Sequence, residues 1–179
     1  GCAAANAAQS AGARAETTVS AGDFGQHCAW IVCTKQDIYQ RQYAAIPMNL
    51  QVFSCPDPSQ SQYSIYGVGT KFTGTNDRGR PEITTIAECV YPEKVVFQSG
   101  AIFIRYTCRK MEDGKVLLSA SLEGPNQYLF QRYLVEQVGR MRQFIEGNVQ
   151  TILKDAPLNS ELPEGKEAGF SGTSGNGSW

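Results

Sequence analysis

The stretch from residue 102 to residue 123, IFIRYTCRKMEDGKVLLSASLE, predicts a β-hairpin. Apolar and polar residues alternate on both sides of Glu112-Asp113-Gly114, as in two strands that each have one buried face. A two-residue turn at Asp113-Gly114 would place the apolar face of one strand beside the polar face of the other. A three-residue loop with Gly114 in the left-handed conformation keeps one shared apolar face, and we predict that register. Its pairs are Cys108 with Leu118, Tyr106 with Ala120, and Ile104 with Leu122.

One long helix is predicted directly after the hairpin, over residues 126–155. Apolar residues recur there at steps of three and four, which indicates one buried stripe. Asn126 is expected to cap the helix, Gly147-Asn148 is a point where it could kink or end, and Pro157 stops it. The stripe consists of Phe130, Leu134, Val138, Met141, Ile145, Val149 and Ile152.

Shorter segments before the hairpin complete the predicted fold. The run from Cys28 to Cys33 is apolar on both faces, so it is interpreted as an interior strand. Strands followed by one long helix indicate an α+β fold, an antiparallel β-sheet with the long C-terminal helix packed across it. The other predicted elements are strands at 48–55, 63–73, 82–91 and 95–97, and a helical turn at 37–45.

Composition divides the 179-residue chain into one domain and two tails. Residues 1–22 and 157–179 are rich in small and polar residues, which predicts a flexible N-terminal tether and a flexible C-terminal tail. Residues 23–156 are predicted to form a single α+β domain. A net charge of −1 argues against nucleic-acid binding, and no run of residues is long and apolar enough for a membrane span.

The six cysteines are numerous for a chain of this size and indicate disulfides in an oxidising compartment. Cys89 and Cys108 are expected to lie on neighbouring strands, and we predict that they pair. Two alternatives remain open, reduced buried thiols and a zinc site. The zinc ligands would be His27, Cys28, Cys33 and Cys55. No cofactor is predicted.

No catalytic constellation is visible in the sequence. His27 is the only histidine, nothing around it resembles a nucleophile elbow, and it is interpreted as a surface or edge residue. No spacing singles out a pair of carboxylates. We therefore predict a protein without enzymatic activity. An enzyme that uses carboxylates or a thiolate is the remaining alternative.

Aromatic residues are numerous, with eight tyrosines, eight phenylalanines and two tryptophans. Some of them are expected to line a groove between the sheet and the helix, because aromatic-lined clefts bind small apolar ligands. Ordinary core packing is the alternative explanation. The candidates for a ligand or partner groove are Tyr66, Phe72, Tyr106 and Tyr133.

The first residues, Gly1-Cys2, resemble the end of a bacterial lipobox, in which a small residue precedes the cysteine that receives lipid. Resemblance to the bacterial lipoprotein class implies an acyl anchor at Cys2. Ala3 in place of aspartate implies retention at the outer membrane, facing the periplasm. Two alternatives are a boundary that falls here by chance and acylation at a eukaryotic membrane, although Ala5 stands where the myristoylation pattern has serine or threonine.

These features give two functional hypotheses. The first is a membrane-tethered lipoprotein of the cell envelope that acts as a non-enzymatic accessory or structural subunit through contacts with other proteins. The alternative is a carrier or sensor of a small apolar ligand, which would bind between the sheet and the helix.

Overall fold

The computed structural model of the protein describes residues 12–46, 49–57, 65–75 and 78–158. Within them, seven strands form one antiparallel sheet in the order β1-β7-β6-β5-β4-β3-β2. The predicted α+β class, with an antiparallel sheet and a C-terminal helix packed on it, is confirmed. The strands are β1 (Ala13–Val19), β2 (Asn49–Ser54), β3 (Lys71–Thr75), β4 (Pro81–Val90), β5 (Lys94–Ser99), β6 (Ile102–Lys110) and β7 (Val116–Glu123). The helices are α1 (Gly25–Thr34), α2 (Gln36–Tyr43), α3 (Gln131–Gly147) and α4 (Val149–Asp155), with 3-10 turns at Gly22–Phe24 and Gln127–Phe130.

The helices pack on one side of the sheet, which we call its inner face. α3 lies across β1 and β7, whereas α2 contacts β2 at the opposite edge. α1 contacts the central strands β5, β6 and β7 as well as α3 and α4. The inner face of the central strands therefore lies between two helices that sit over opposite edges of the sheet.

The hairpin has the predicted register. Cys108 pairs with Leu118, and Tyr106 pairs with Ala120. Gly114 has a φ of 87°, the left-handed conformation that glycine adopts without steric cost. The Met111 N–H donates to the Lys115 carbonyl oxygen at 2.8 Å, which closes a three-residue loop. Burial of one shared apolar face thus selects the register, as the alternation predicts.

The predicted N-terminal tether was wrong over part of its length, because residues 13–19 form β1. This strand pairs with β7 from Ala13 opposite Leu122 to Val19 opposite Val116. Its inner side chains are mostly small, so the segment lacks an apolar run that could reveal it. The apolar cover comes instead from β7 and α3. Residues 1–11, which include Cys2, and the tail from residue 159 lie outside the described residues.

The segment predicted as an interior strand, Cys28 to Cys33, lies in α1. All six of these residues are fully buried. A helix that is covered on every side has no polar face, and its sequence cannot be told from that of a buried strand. On the sheet side, Trp30 Nε1 donates to the Lys94 carbonyl oxygen at 3.1 Å and Gln26 Nε2 donates to the Cys108 carbonyl oxygen at 2.9 Å.

The C-terminal helix has the predicted apolar stripe but not the predicted cap. Leu134, Met141 and Ile145 are fully buried. Asn126 adopts the left-handed conformation, with a φ of 57°, and makes no side-chain capping bond; it precedes the 3-10 turn, and α3 begins after that turn. The predicted weak point at Gly147-Asn148 does interrupt the helix. There Asn148 Nδ2 donates to the Phe144 carbonyl oxygen at 2.8 Å, and α4 follows.

Among its described residues, the segment predicted as a strand over residues 63–73 is strand only from Lys71, and residues 63 and 64 lie outside the described part of the chain. Residues 65–70 form a turn, and β3 begins at Lys71. The turn is fixed to β4 because Gly69 N donates to the Ile86 carbonyl oxygen and Ile86 N donates to the Thr70 carbonyl oxygen, both at 2.9 Å. This arrangement places Tyr66 beside the inner face.

The premise of the predicted Cys89–Cys108 disulfide was wrong. Cys89 is on β4 and Cys108 is on β6, and β5 lies between these strands. Two strand spacings are about 9.5 Å, beyond the Cα separation that a disulfide spans. Both thiols are free, and Cys89 Sγ contacts the Tyr66 carbonyl oxygen at 3.2 Å. Among the described residues, no helix combines the length and apolarity that a membrane crossing needs.

Candidate functional site

A row of aromatic side chains crosses the inner face of the sheet. The ring centroids of Tyr66 and Phe72 are 5.7 Å apart, those of Phe72 and Phe97 are 6.0 Å apart, and those of Phe97 and Tyr106 are 6.2 Å apart. Such separations are typical of packed aromatic pairs. We call Tyr66, Phe72, Phe97 and Tyr106 the aromatic row. All four of its members are buried, and we call the region above them, between α2 and α3, the cleft.

The four predicted groove residues lie near one another in this region, and their role in binding stays a prediction. Tyr66, Phe72 and Tyr106 are members of the aromatic row. Tyr133 comes from α3 on the opposite wall, where its ring packs against Phe130 with centroids 6.5 Å apart. Burial raises the pKa of Tyr106, and the nearby Tyr133 hydroxyl raises it further. The two hydroxyls therefore face a common region.

One end of the cleft is incompletely covered, and we call it the mouth. Ile104 and Tyr106 both point to the inner face of β6, but Ile104 is only half-buried whereas Tyr106 is buried. At the same end, Ser99 Oγ donates to Glu82 Oε2 at 2.8 Å and gives the rim a polar pair. The mouth is therefore apolar inside and polar at its edge. Its half-buried apolar residues are Leu50, Ile102, Ile104, Phe130 and Tyr133.

A cluster of polar side chains is buried behind the mouth. Tyr43 Oη donates to Gln36 Oε1 at 2.7 Å, and the Ala45 N–H donates to Gln137 Oε1 at 3.3 Å. The Tyr106 hydroxyl bonds to the side chains of Gln36 and Gln137, and both bonds oppose the rise of its pKa that burial causes. We call Gln36, Tyr43, Tyr106 and Gln137 the polar cluster. It connects α2, α3 and β6 through side chains and places hydroxyl and amide groups within an apolar cleft.

A charged group lies at the Tyr66 end of the aromatic row. Lys35 Nζ is 3.6 Å from the centroid of the Tyr66 ring, and Tyr66 Oη donates to Asp37 Oδ2 at 3.0 Å. Burial lowers the pKa of Lys35 to about 8, and the charge of Asp37 opposes this shift. Burial raises the pKa of Asp37, and Lys35, the Tyr66 hydroxyl and nearby backbone N–H groups oppose it. Charge is thus present at this end of the cleft but is held in a largely dry environment.

Solved structures with the same fold as this chain include the three that follow. No protein-family model and no curated protein matches the sequence. The Bacillus halodurans protein BH1534 gives a TM-score of 0.54 at 12% identity, over 75% of this chain and 96% of that protein. StfQ, a di-domain ARO/CYC of the steffimycin biosynthetic pathway, gives 0.53 at 14% identity, over 76% of this chain. DynU16, from the dynemicin biosynthetic locus, gives 0.50 at 15% identity, also over 76% of this chain.

The fold is shared with proteins of two biosynthetic systems. The chain spans less than half of each, 45% of StfQ and 47% of DynU16. At these identities the likeness shows the fold alone. The first functional hypothesis, a non-enzymatic envelope subunit that acts through protein contacts, was wrong: the fold shared with StfQ and DynU16 favours the alternative hypothesis instead. The acyl anchor at Cys2 and the envelope location stay predictions, since Cys2 lies outside the described residues.

His27 is a structural residue away from this cleft, and the prediction of a surface or edge histidine was wrong. The side chain is buried, Nε2 donates to the Ala156 carbonyl oxygen at 2.7 Å, and Nδ1 lies 2.8 Å from Tyr91 Oη. Because a carbonyl oxygen only accepts, Nε2 carries the proton of the neutral ring and Nδ1 accepts from the tyrosine. Both nitrogens are thus engaged, and the part of the chain that the structure describes has no group of three or more metal-ligating side chains.

We expect His27 to make the folding stability fall as the pH drops below about 6.5. Burial lowers its pKa in the folded chain, and the bond to Ala156 only partly opposes this shift. Above pH 6.5 both states are neutral and the stabilisation is complete. Below it the unfolded chain takes up a proton before the folded chain does, so stability is lost until the folded pKa is reached. Urea unfolding between about pH 7.5 and 5.5 measures this effect. The His27→Gln variant should lack it, and parallel losses in both proteins would contradict the assignment.

The glutamines of the cleft were missed from the sequence. Gln36, Gln40 and Tyr43 lie on one side of α2, and Gln137 lies on the buried side of α3. Helical spacing places the first three on one face, but a glutamine on that face is compatible with solvent as well as with a buried site. The only signal in the sequence was that helical spacing places Gln36 and Gln40 on the same side of α2 as Tyr39 and Tyr43.

Proposed function

We propose that the protein binds a small apolar ligand in the cleft between the sheet and helices α2 and α3, as a carrier or sensor. The observation that carries the proposal is the mouth, where apolar side chains of the inner face remain half-exposed and lead to the aromatic row. Clefts of this kind, apolar with a few convergent polar groups, are typical sites for small molecules. The two biosynthetic-pathway proteins with this fold support it as a precedent for small-molecule chemistry.

The energetics of the mouth favour an apolar occupant. Covering apolar surface contributes about 25 cal/mol per Å², so each 100 Å² removed from water is worth roughly 2.5 kcal/mol. Leu50, Ile102 and Ile104 supply such surface without any change in the sheet. The polar cluster behind them can orient one end of a ligand through hydroxyl and amide groups.

We propose that the protein binds its ligand without catalysing a reaction. His27 contacts Tyr91 and Ala156 away from the cleft. Burial raises the pKa of the Cys28 thiol to about 11 and raises the pKa of Cys33 well above its usual range, with Cys108 nearby. Protonated thiols are poor nucleophiles. These features support a carrier or sensor over an enzyme that uses a thiolate or histidine.

Replacing Ile104 by Trp is expected to abolish ligand binding or to weaken it at least tenfold. The larger side chain would occupy the mouth beside Phe97 and Leu122, which flank Ile104 on the neighbouring strands. Saturable binding of the apolar fluorophore 1-aminoanthracene measures the effect. Phe103→Trp is the matched control, because the adjacent residue of the same strand points to the opposite face of the sheet.

The parent protein and Phe103→Trp should bind the fluorophore with the same affinity, and circular dichroism should show that all three proteins are folded. Equal binding by Ile104→Trp would place the fluorophore outside the cleft and contradict the proposal. The same conclusion would follow if Phe103→Trp lost binding as strongly as Ile104→Trp.

A further inference from the structure

The buried side of α2 is polar where a helix against a core is usually apolar. Gln36, Gln40 and Tyr43 are buried, as is Tyr39, whereas Ile38 is exposed. At 100° per residue, Gln40 lies between Gln36 and Asp37 around the helix axis. It therefore lies on the buried side of α2, between the polar cluster and the Lys35–Asp37–Tyr66 group.

Two polar atoms on this side of α2 have no hydrogen-bond partner among the described residues. They are Gln40 Nε2 and Asp37 Oδ1, although the backbone N–H groups of Asp37 and Ile38 lie near enough to the carboxylate to oppose the rise of its pKa that burial causes. Gln40 is only 3% exposed, so its amide cannot turn to bulk solvent. Folded proteins rarely leave a buried polar group unpaired, because such a group loses its hydrogen bonds to water and gains none in their place. Two such atoms within one turn of α2 can therefore form hydrogen bonds to a bound molecule.

The two atoms are complementary. Gln40 Nε2 is a donor and Asp37 Oδ1 is an acceptor, and residues three apart on a helix have side chains that start about 5–6 Å from each other. The other carboxylate oxygen of Asp37 is fixed by Tyr66 Oη at 3.0 Å, which holds the carboxylate in place. A single atom that both accepts and donates a hydrogen bond could satisfy both groups at once.

The charges around this position restrict the chemistry of that atom. Lys35 lies beside Tyr66 and Asp37, so a ligand ammonium group would meet a like charge. A ligand carboxylate would be repelled by Asp37, and because Lys35 and Asp37 each attract the charge that the other repels, neither kind of charged group gains a clear net attraction here. A neutral hydroxyl has one donor hydrogen and free lone pairs on one oxygen, and it avoids both repulsions.

We propose that Gln40 and Asp37 form a hydroxyl-binding subsite of the cleft, and that the ligand is a small apolar molecule with an alcohol or phenol group. Gln40 Nε2 donates to the hydroxyl oxygen, and the hydroxyl hydrogen is donated to Asp37 Oδ1. This inference rests on the proposed function and specifies the polar part of its ligand.

Three probes of equal ring size separate the two hydrogen bonds. 2-Naphthol both donates and accepts, 2-methoxynaphthalene only accepts, and naphthalene does neither. In titration calorimetry with the full chain, 2-naphthol should bind about tenfold tighter than 2-methoxynaphthalene, since the ether cannot donate to Asp37. 2-Methoxynaphthalene should in turn bind severalfold tighter than naphthalene, because it accepts from Gln40.

The Gln40→Met variant should lose the preference for 2-methoxynaphthalene over naphthalene, while its affinity for naphthalene stays within twofold of the parent. Gln42→Met is the matched control, because Gln42 is an exposed glutamine of the same helix. It should keep the parent order of all three probes.

Equal binding of the three probes by the parent would overturn the subsite and leave the cleft in place, and this comparison does not depend on any variant being folded. Equal loss of preference in Gln42→Met would also overturn the subsite. Absence of binding by all three probes, together with unchanged behaviour of Ile104→Trp, would overturn both the subsite and the proposed function.

Discussion

Replacing Val19 by Asp is expected to lower the free energy of unfolding by about 3–5 kcal/mol, the usual cost of leaving an uncompensated charge in the interior. Val19 ends β1, is fully buried and lies opposite Val116 of β7. If residues 1–22 were a flexible tether, the same substitution would have no effect on stability. The result therefore tests whether this segment belongs to the folded domain.

Thr18→Asp is the control for this prediction. Thr18 is exposed on the outer face of β1, opposite Leu117. An aspartate there loses strand propensity but buries no charge, so the expected loss stays within about 1 kcal/mol. Urea denaturation followed by circular dichroism gives both values. Equal losses in the two variants would mean that β1 is not packed as the structure shows.

Replacing Leu134 by Ala is expected to lower the free energy of unfolding by about 2–5 kcal/mol, because the truncated side chain leaves a cavity in the core. Leu134 is fully buried in the apolar stripe of α3. The substitution keeps good helix propensity, so the loss reports packing and not helix formation.

The neighbouring residue provides the matched comparison. Val135 is 53% exposed on the same turn of α3, and Val135→Ala should be neutral or slightly stabilising, since alanine has the higher helix propensity. The two variants differ in burial and little else. A loss below about 1 kcal/mol for Leu134→Ala in thermal or urea unfolding would show that α3 does not pack tightly across the sheet.

The elements with strong local patterns were predictable from the sequence. The hairpin register followed from alternation and from Gly114, and the stripe of α3 followed from helical spacing, because in each case burial admits one arrangement. β1 and α1 were not predictable, for opposite physical reasons. The residues of β1 are too weakly apolar for a buried face to be visible in the sequence. The residues of α1 are apolar on every side, so no exposed face is visible.

The candidate site was predictable only in its apolar part. Tyr66, Phe72 and Tyr106 could be proposed as a groove because their aromatic side chains suit both an apolar ligand and ordinary core packing. The partners that define its polar part, Gln36 and Gln40, could not be found, since nothing local separates a buried glutamine from a solvated one. The prediction of a Cys89–Cys108 disulfide was wrong for a topological reason. The sequence does not show that β5 lies between β4 and β6 and separates the two cysteines.

The pairing of β1 with β7 also means that, among the strands the structure describes, the first to be synthesised receives its partner last. Val19 and Val116 are separated by about a hundred residues, which a ribosome adds in roughly 5–20 s at 5–20 residues per second. During that time β1 is an unpaired strand edge of a nascent chain, the kind of segment that associates with other chains. Its alternating Arg14 and Glu16 and its small inner residues make it a poor template for aggregation. The same weak apolar character that made β1 hard to predict from the sequence thus lowers the risk of aggregation before β7 is synthesised.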